Sequence, residues 1–117
     1  MSAKRLLSLL DFYYKKHRTE TQVKKLIAVL NNDQYCFHRT NYSGHFTASA
    51  WILNENRDKA LMTHHKKLNM WLQLGGHADE NTDLLNVAQK EVFEESGIEK
   101  IRLLNDGIFD VDIHLVP

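Results

Sequence analysis

The hydrophobic pattern changes its period once along the chain, from helical spacing near the N-terminus to strand-like runs further on. Residues 4–17, and a second segment that begins at Thr19, carry apolar side chains at the spacing of amphipathic helices. Thr19 and Gln22 have the form of a capping box. Neither helix has enough apolar surface to be stable alone, so we expect residues 1–33 to form a helical hairpin that packs on the rest of the chain.

Short apolar runs separated by polar turns follow the hairpin. Residues 47–53, 59–64 and 70–74 are predicted strands, and the small, largely apolar side chains of the first one predict burial on both of its faces. A helix is then predicted to begin with Thr82 as its N-cap and to end before Gly97. The core face of this helix consists of Leu84, Val87, Ala88 and Val92.

Two further strands are predicted near the C-terminus. Residues 101–104 form a short one, and in residues 109–115 apolar and polar side chains alternate, as in a strand with one buried face. The sequence stops soon after this strand, so its open edge is expected to pair with another chain, and a homodimer is one such assembly. Two interpretations of the end at Pro117 stay open: a natural terminus, or a C-terminally truncated α/β domain.

The composition narrows the class of protein. Fifteen basic residues balance fifteen acidic ones, so the net charge gives no argument for a nucleic-acid partner, and no apolar run approaches the length of a membrane span. The single cysteine, Cys36, excludes an internal disulfide and is typical of a reducing compartment. We therefore expect a cytoplasmic protein that contacts neither nucleic acid nor membrane. Trp51 and Trp71 are predicted to be core residues.

Three carboxylates stand close together on the last predicted helix. Glu91, Glu94 and Glu95 are spaced so that their side chains leave the helix within an arc of about 100°. Like charges at this spacing destabilise a helix, and a hard divalent cation such as Mg²⁺, which prefers oxygen ligands, would offset the repulsion. The adjacent glycines Gly75 and Gly76 are expected to make a tight turn ahead of this helix.

A longer motif contains these carboxylates. With x for any residue, it runs Gly76-x5-Thr82-x7-Lys90-Glu91-Val92-x-Glu94-Glu95-x-Gly97-Ile98. It resembles the Nudix box, the signature of hydrolases that cleave nucleoside diphosphates linked to another moiety. Thr82 stands where the family pattern has glutamate, and Lys90 stands where it has arginine. The resemblance implies a Nudix-like domain at residues 34–117, in which a mixed sheet packs against the box helix, with the helical hairpin outside the family core.

The resemblance also implies roles for the charged residues. Glu94 and Glu95 are metal ligands, the Gly75 carbonyl is a further ligand, and Glu91 is either a ligand or the base that activates water. Mg²⁺ is the expected ion, and Mn²⁺ is the alternative. Lys90 is expected to act in catalysis as a positive charge, without the planar fork through which an arginine orients neighbouring carboxylates.

Other residues near the motif are candidates for accessory roles. His77 directly follows the glycines and His65 lies beside two lysines, so both are predicted to contact the substrate, with simple exposure as the alternative. Acidic residues close enough in sequence to stand in for the carboxylate that Thr82 lacks are Asp79, Glu80 and Asp83.

These features together predict a Mg²⁺-dependent pyrophosphohydrolase with a small-molecule, nucleotide-type substrate. A cation held by carboxylates would neutralise the charge that a diphosphate develops in the transition state. The alternative is a catalytically weakened Nudix-like domain that binds a nucleotide or a protein partner, since Thr82 and Lys90 depart from the motif.

Overall fold

A computed structural model of the protein describes residues 3–105 and 107–115, so positions 1, 2, 106, 116 and 117 of the two predicted domains lie outside the described residues. The elements in chain order are α1 (Lys4–Lys16), α2 (Gln22–Asn32), β1 (Thr47–Ala50), β2 (Ile52–Leu53), β3 (Ala60–Leu61), β4 (Thr63–His65), β5 (Met70–Leu72), β6 (Leu74–His77) and α3 (Leu84–Ser96). Helices and strands combine in one chain, and the predicted α/β class is confirmed.

The N-terminal helices α1 and α2 pack against each other and share a core with the chain that follows. Leu6, Leu10 and Tyr13 of α1 are buried together with Val23 of α2. The members of the same cluster that lie beyond the hairpin are Cys36, Phe37, Phe46 and Ala78. Because one apolar cluster joins both predicted domains, folding of the hairpin is coupled to folding of the rest of the chain.

The second helix begins later than the capping-box pattern predicts. α2 starts at Gln22, and its N-cap residue, Thr21, makes no side-chain capping bond. The linker before it forms hydrogen-bonded turns, in which Glu20 accepts a bond of 2.6 Å from the Tyr13 hydroxyl. The prediction that the helix begins at Thr19 is therefore wrong, because the linker first turns to bring Glu20 onto α1.

The strands pair two by two, and each pair is antiparallel. β1 pairs with β6, β2 with β3, and β4 with β5. The three predicted strands are each interrupted, at Trp51, Met62 and Gln73, where the chain passes from one pair to the next. A mixed sheet would contain parallel and antiparallel pairs. In the part of the chain that is described, all strand pairs are antiparallel.

Burial in these strands is incomplete: among their residues only Leu74 of β6 is fully buried. Exposed and half-buried residues alternate along β1, so the prediction that both of its faces are buried is wrong. Trp51 and Trp71 are 46% and 65% exposed, and their prediction as core residues is also wrong. Aromatic side chains are buried only where another layer covers them, whereas Trp71 contacts His64 edge-on, with ring centroids 5.0 Å apart.

The chain after α3 is irregular as far as it is described. Residues 101–104 and 109–115 form no strand there, so both predicted strands are wrong. Side chains of the hairpin hold the segment instead: Gln22 Nε2 donates to the Val111 carbonyl at 3.1 Å, and Ile108 and Val111 pack against the core cluster. Alternation is not sufficient for a strand, because a strand also needs a neighbouring edge to pair with. The open edge on which the homodimer prediction rested is not formed.

We expect Leu10→Ala to destabilise the whole chain. Leu10 is 2% exposed in the shared core, and truncation of a buried leucine costs about 2–5 kcal/mol. The control is Phe12→Ala in the same helix, because Phe12 is 57% exposed. Urea denaturation followed by tryptophan fluorescence measures the effect beyond the hairpin, where Trp51 and Trp71 lie. An unchanged fluorescence transition in Leu10→Ala would contradict a shared core.

Candidate active site

The two glycines of the motif lie in a strand and not in a turn. Gly75 and Gly76 belong to β6, and neither has a positive φ, so the prediction of a tight turn is wrong. A Cβ atom at Gly75 would lie 2.4 Å from the Ala48 carbonyl oxygen, and one at Gly76 would lie 2.6 Å from Glu91 Oε1. Glycine is therefore needed at these positions because other groups approach the backbone closely.

α3 is held against β1 and β6 by its buried face, and this fixes where its carboxylates project. The residues buried on that face are Val87, Ala88 and Val92. Asp83 caps the helix by accepting a 3.2 Å bond from the Asn86 amide, so the prediction of Thr82 as the N-cap is wrong. An aspartate here also meets the positive end of the helix dipole. Gly97 ends the helix with a φ of 76°, as predicted.

Glu91 lies closest to the glycines, and its acidity reflects its neighbours. Its half-buried carboxylate packs against Gly76. Burial raises the pKa of Glu91, and nearby negative charges raise it further, while Lys90 lowers it. The residues that carry those negative charges are Glu94, Glu95 and Asp79. A carboxyl group held among like charges in this way is a common feature of functional sites.

Glu94 and Glu95 are exposed and make different contacts. Glu95 Oε1 accepts a hydrogen bond of 2.9 Å from the Gly75 amide. Glu94 borders the cleft beside Glu91. The contact to Gly75 uses its amide, so ligation by the Gly75 carbonyl stays a prediction.

The cleft beside Glu91 has a volume of about 240 Å³. Its lining consists of His77, Ala78, Asp79, Asn81, Val87, Lys90, Glu91 and Glu94. The predicted site residues His77, Lys90, Glu91 and Glu94 therefore meet around one space, with Glu95 next to it on the same helix. Small-molecule pockets start at about 300 Å³, so this cleft is smaller than a typical one.

The two predicted substrate-binding histidines lie in different places. His77 lines the cleft, and its Nδ1 is 3.0 Å from His45 Nε2, one ring donating and the other accepting. Burial lowers the pKa of His77, and the nearby Arg39 and His45 lower it further. His65 lies in β4, where its Nδ1 accepts a bond from the Leu68 amide at 3.2 Å, and it is not among the cleft-lining residues.

An ion pair at the edge of the cleft was missed by the sequence interpretation. Asp79 lines the cleft and binds the Arg39 guanidinium with both oxygens, at 2.8 and 2.6 Å. This bond holds the pKa of Asp79 below its usual range. Asp79 and Glu80 have φ of 48° and 73°, and such left-handed conformations of non-glycine residues cost on the order of 1 kcal/mol each. Arg39 and Asp79 lie 40 positions apart, and no local sequence signal connects them.

The donor chemistry of the site fits a divalent cation, but its geometry is not that of a formed metal centre. Carboxylate oxygens are the ligands that Mg²⁺ prefers, and Glu91 and Glu94 line the same cleft. Across the described residues, no group of three His, Cys, Asp or Glu side chains lies in an arrangement that could hold a metal ion. Binding would require rotation of the exposed Glu94 and Glu95 side chains.

Alanine at the two glycines is expected to have unequal effects. Gly75→Ala would force a Cβ against the β1 backbone and should destabilise the chain by about 1–3 kcal/mol. A Cβ at Gly76→Ala would meet only side-chain atoms at the end of Glu91, so its effect on stability should be smaller, and the Glu91 carboxylate should shift to make room. Chemical denaturation of both variants measures this order, and the reverse order would contradict the observed packing.

Glu91→Gln is expected to stabilise the chain at pH 7 in metal-free buffer. The pKa of Glu91 is raised in the folded state, so the folded chain binds this proton more tightly than the unfolded chain. Its contribution to stability is therefore present at low pH and is lost as the pH rises through the raised pKa. In thermal unfolding with EDTA, Glu91→Gln should have a higher Tm than the wild type at pH 7. Below about pH 4 the two Tm values should be equal. Exposed Glu99→Gln is the control, and a lower Tm for Glu91→Gln at pH 7 would refute the prediction.

Comparison with known proteins identifies the family. A family model of the NUDIX domain matches residues 44–115, which is more than half of the chain. No curated protein matches the chain. The matched region contains the described strands, α3 and the acidic site, and it begins after the N-terminal hairpin. The chain therefore belongs to the Nudix family.

Proposed function

We propose that the chain hydrolyses a phosphoric anhydride bond of a nucleoside diphosphate linked to another moiety, and that it does so with Mg²⁺, or with Mn²⁺ in its place. Membership of the Nudix family supports a hydrolase of this general type. The observation that carries the proposal is the packing of the Glu91 carboxylate on Gly76, at a cleft that Glu94 and Lys90 also line.

The residues that would hold the metal are the carboxylates of Glu91, Glu94 and Glu95 and the carbonyl of Gly75. When bound, the ion would neutralise the charge on the phosphate oxygens. Glu94 is exposed, and Glu95 is exposed but bonded to the Gly75 amide at 2.9 Å, so its rotation towards the cleft would break that bond. Glu91 is packed against the Gly76 backbone.

The reaction consumes one water molecule. The water oxygen attacks phosphorus, the anhydride P–O bond breaks, and two phosphorylated products leave. Glu91 has two candidate roles, as a ligand or as the base whose carboxylate oxygen takes the proton of the water. The raised pKa of Glu91 fits the second role, because a carboxyl group accepts a proton more readily when its pKa lies nearer to the working pH.

Lys90 and His77 would act on the substrate from the walls of the cleft. Lys90 supplies a single positive charge towards the phosphates, weaker in orientation than a guanidinium. His77, whose lowered pKa keeps its ring neutral near pH 7, would donate or accept one hydrogen bond. A substrate contact by His65 remains part of the proposal for the portion of the substrate outside the cleft.

A catalytically weakened, nucleotide-binding or protein-binding domain is the second candidate function. It is favoured by Thr82 and Lys90, which depart from the family motif, and by the three glutamates, whose carboxylates do not converge on one point among the described residues. Binding in the cleft would not require the full set of metal ligands.

The proposed location is the cytoplasm, because the free and buried Cys36 suits a reducing compartment. Among the described helices, none is long and apolar enough to cross a membrane. A homodimer remains a proposal, and sedimentation at increasing concentration tests it.

Glu94→Gln is expected to lower kcat by about a hundredfold or more, because it removes a charge that acts on the transition state. The assay is phosphate or nucleotide release from nucleotide sugars, dinucleotides and nucleoside triphosphates, with and without Mg²⁺. Exposed Glu99→Gln is the matched control outside the cleft. Absence of Mg²⁺-dependent release by the wild type would count against hydrolysis. Nucleotide binding without turnover would favour the second function.

The two roles of Glu91 are separated by metal affinity. If Glu91 is the base, Glu91→Gln should lower kcat while the Mg²⁺ dependence of the rate is retained. If it is a ligand, the same variant should need at least tenfold more Mg²⁺ for half of its maximal rate. A variant that changes neither quantity would exclude both roles.

A further inference from the structure

The loop between α2 and β1, residues 33–46, is fastened to the connection that leads from β6 to α3. The Phe37 carbonyl accepts the Glu80 amide at 2.8 Å, and the Phe46 carbonyl accepts the Ala78 amide at 3.3 Å. The rings of Phe37 and Phe46 stack 5.3 Å apart in the core cluster. The loop therefore has a defined position beside the wall of the cleft.

Hydrogen bonds inside this loop hold its tip. Asn41 Nδ2 donates to Asp33 Oδ2 at 2.8 Å and to the Gly44 carbonyl at 2.9 Å. The second oxygen of Asp33 accepts the Tyr35 amide at 2.9 Å. The residues between Tyr35 and Asn41, which include Arg39, are thus presented by an ordered scaffold.

Arg39 reaches from this tip to the cleft. Its Nε and Nη2 atoms donate to the two oxygens of Asp79, which lines the cleft, so the guanidinium lies one hydrogen bond away from the cleft wall. Arg39 also interacts electrostatically with Glu91. The side chains of Arg39 and Asp79 are 56% and 51% exposed, and a solvated pair of this kind exchanges partners at little cost.

We propose that Arg39 binds a phosphate group of the substrate at the mouth of the cleft, and that Asp79 holds the guanidinium in place until a phosphate replaces it. This inference rests on the proposed function, because it adds a binding residue to the same site. An arginine fork makes the same pair of parallel hydrogen bonds to a carboxylate and to a phosphate, so the guanidinium changes partner without changing geometry.

The negative charges of the cleft explain why phosphate binding would need a positive group besides Lys90 and a bound metal. Asp79, Glu91 and Glu94 line it, and they would repel a diphosphate. A metal at the glutamates would serve one end of the diphosphate, and Lys90 is a point charge that cannot orient a phosphate bidentately. Arg39 supplies that geometry from the loop, at a position that precedes the family match at residues 44–115.

The experiment measures binding of inorganic pyrophosphate to the intact chain by calorimetry, with saturating Mg²⁺. Arg39→Gln is expected to raise the Kd about tenfold or more, since it removes charge-assisted hydrogen bonds. The Kd of Arg39→Lys should lie between those of the wild type and Arg39→Gln, because lysine keeps the charge without the planar fork of the guanidinium. The control is Arg102→Ala, an exposed arginine that does not line the cleft.

Asp79→Asn separates phosphate binding from a structural role of the pair. If Asp79 only holds the guanidinium, its substitution removes a competing anion, and the Kd for pyrophosphate should stay equal or fall. If the pair only maintains the fold of the cleft, Arg39→Gln and Asp79→Asn should weaken binding alike, and this would overturn the proposal. Thermal unfolding checks that each variant is folded. If Arg39→Gln is not folded, the Kd of Arg39→Lys is compared with that of the wild type instead.

Hydrolysis is scored separately, so the two proposals can fail independently. With a hydrolysed nucleotide, Arg39→Gln should raise KM about tenfold while kcat changes little. Pyrophosphate binding that Arg39→Gln weakens, without hydrolysis of any nucleotide by the wild type, would defeat the proposed hydrolase and leave the role of Arg39 supported. An unchanged KM and an unchanged Kd in Arg39→Gln, or no pyrophosphate binding by the wild type, would overturn the role of Arg39.

Discussion

The carboxylate of Glu91 packs directly on the backbone of Gly76, and the rest of the site is arranged around that contact. It is possible only because Gly76 has no side chain and because Gly75 lets β1 approach β6 closely enough for α3 to cover both strands. Burial of Glu91 raises its pKa, and the nearby carboxylates of Glu94, Glu95 and Asp79 raise it further. The carboxylates of the site therefore repel one another, and a bound cation would reduce that repulsion.

The N-terminal hairpin and most of the loop after it precede the family match at residues 44–115, yet both contribute to the site. Their apolar residues form one core with Ala78, which directly follows β6. Next to that core, Asp79 and Glu80 have positive φ, and the Glu80 amide donates to the carbonyl of the core residue Phe37 at 2.8 Å. Packing at a distance from the carboxylates thus determines which groups surround the cleft.

The two walls of the cleft differ in how firmly they are held. Glu91 is half-buried against a strand, and Asp79 is bound by a guanidinium from an ordered loop, whereas Glu94 and Glu95 project from the exposed face of α3. This difference explains how donor groups suited to a metal can share a cleft without converging on one point. Glu91 and the Arg39–Asp79 pair therefore define the position of the cleft, whereas exposed side chains such as that of Glu94 change rotamer readily.

Local chemistry in the sequence determined the helices, the family and the trio of glutamates. Helical spacing of apolar residues predicts α1, α2 and α3, and Gly97 ends the last of them as expected, because periodicity and the need for a left-handed residue act over a few positions. The carboxylates fall on one side of a helix for the same reason.

Long-range contacts decided the remainder. Segments distant in the chain determine the extended conformation of Gly75 and Gly76 in β6. They also determine that residues 109–115 have no strand to pair with and that Trp71 is not covered. Arg39 meets Asp79 across 40 positions because two buried phenylalanines dock a loop beside the cleft. A side chain's neighbours are set by the packing of the whole core, and only the tertiary structure contains that information.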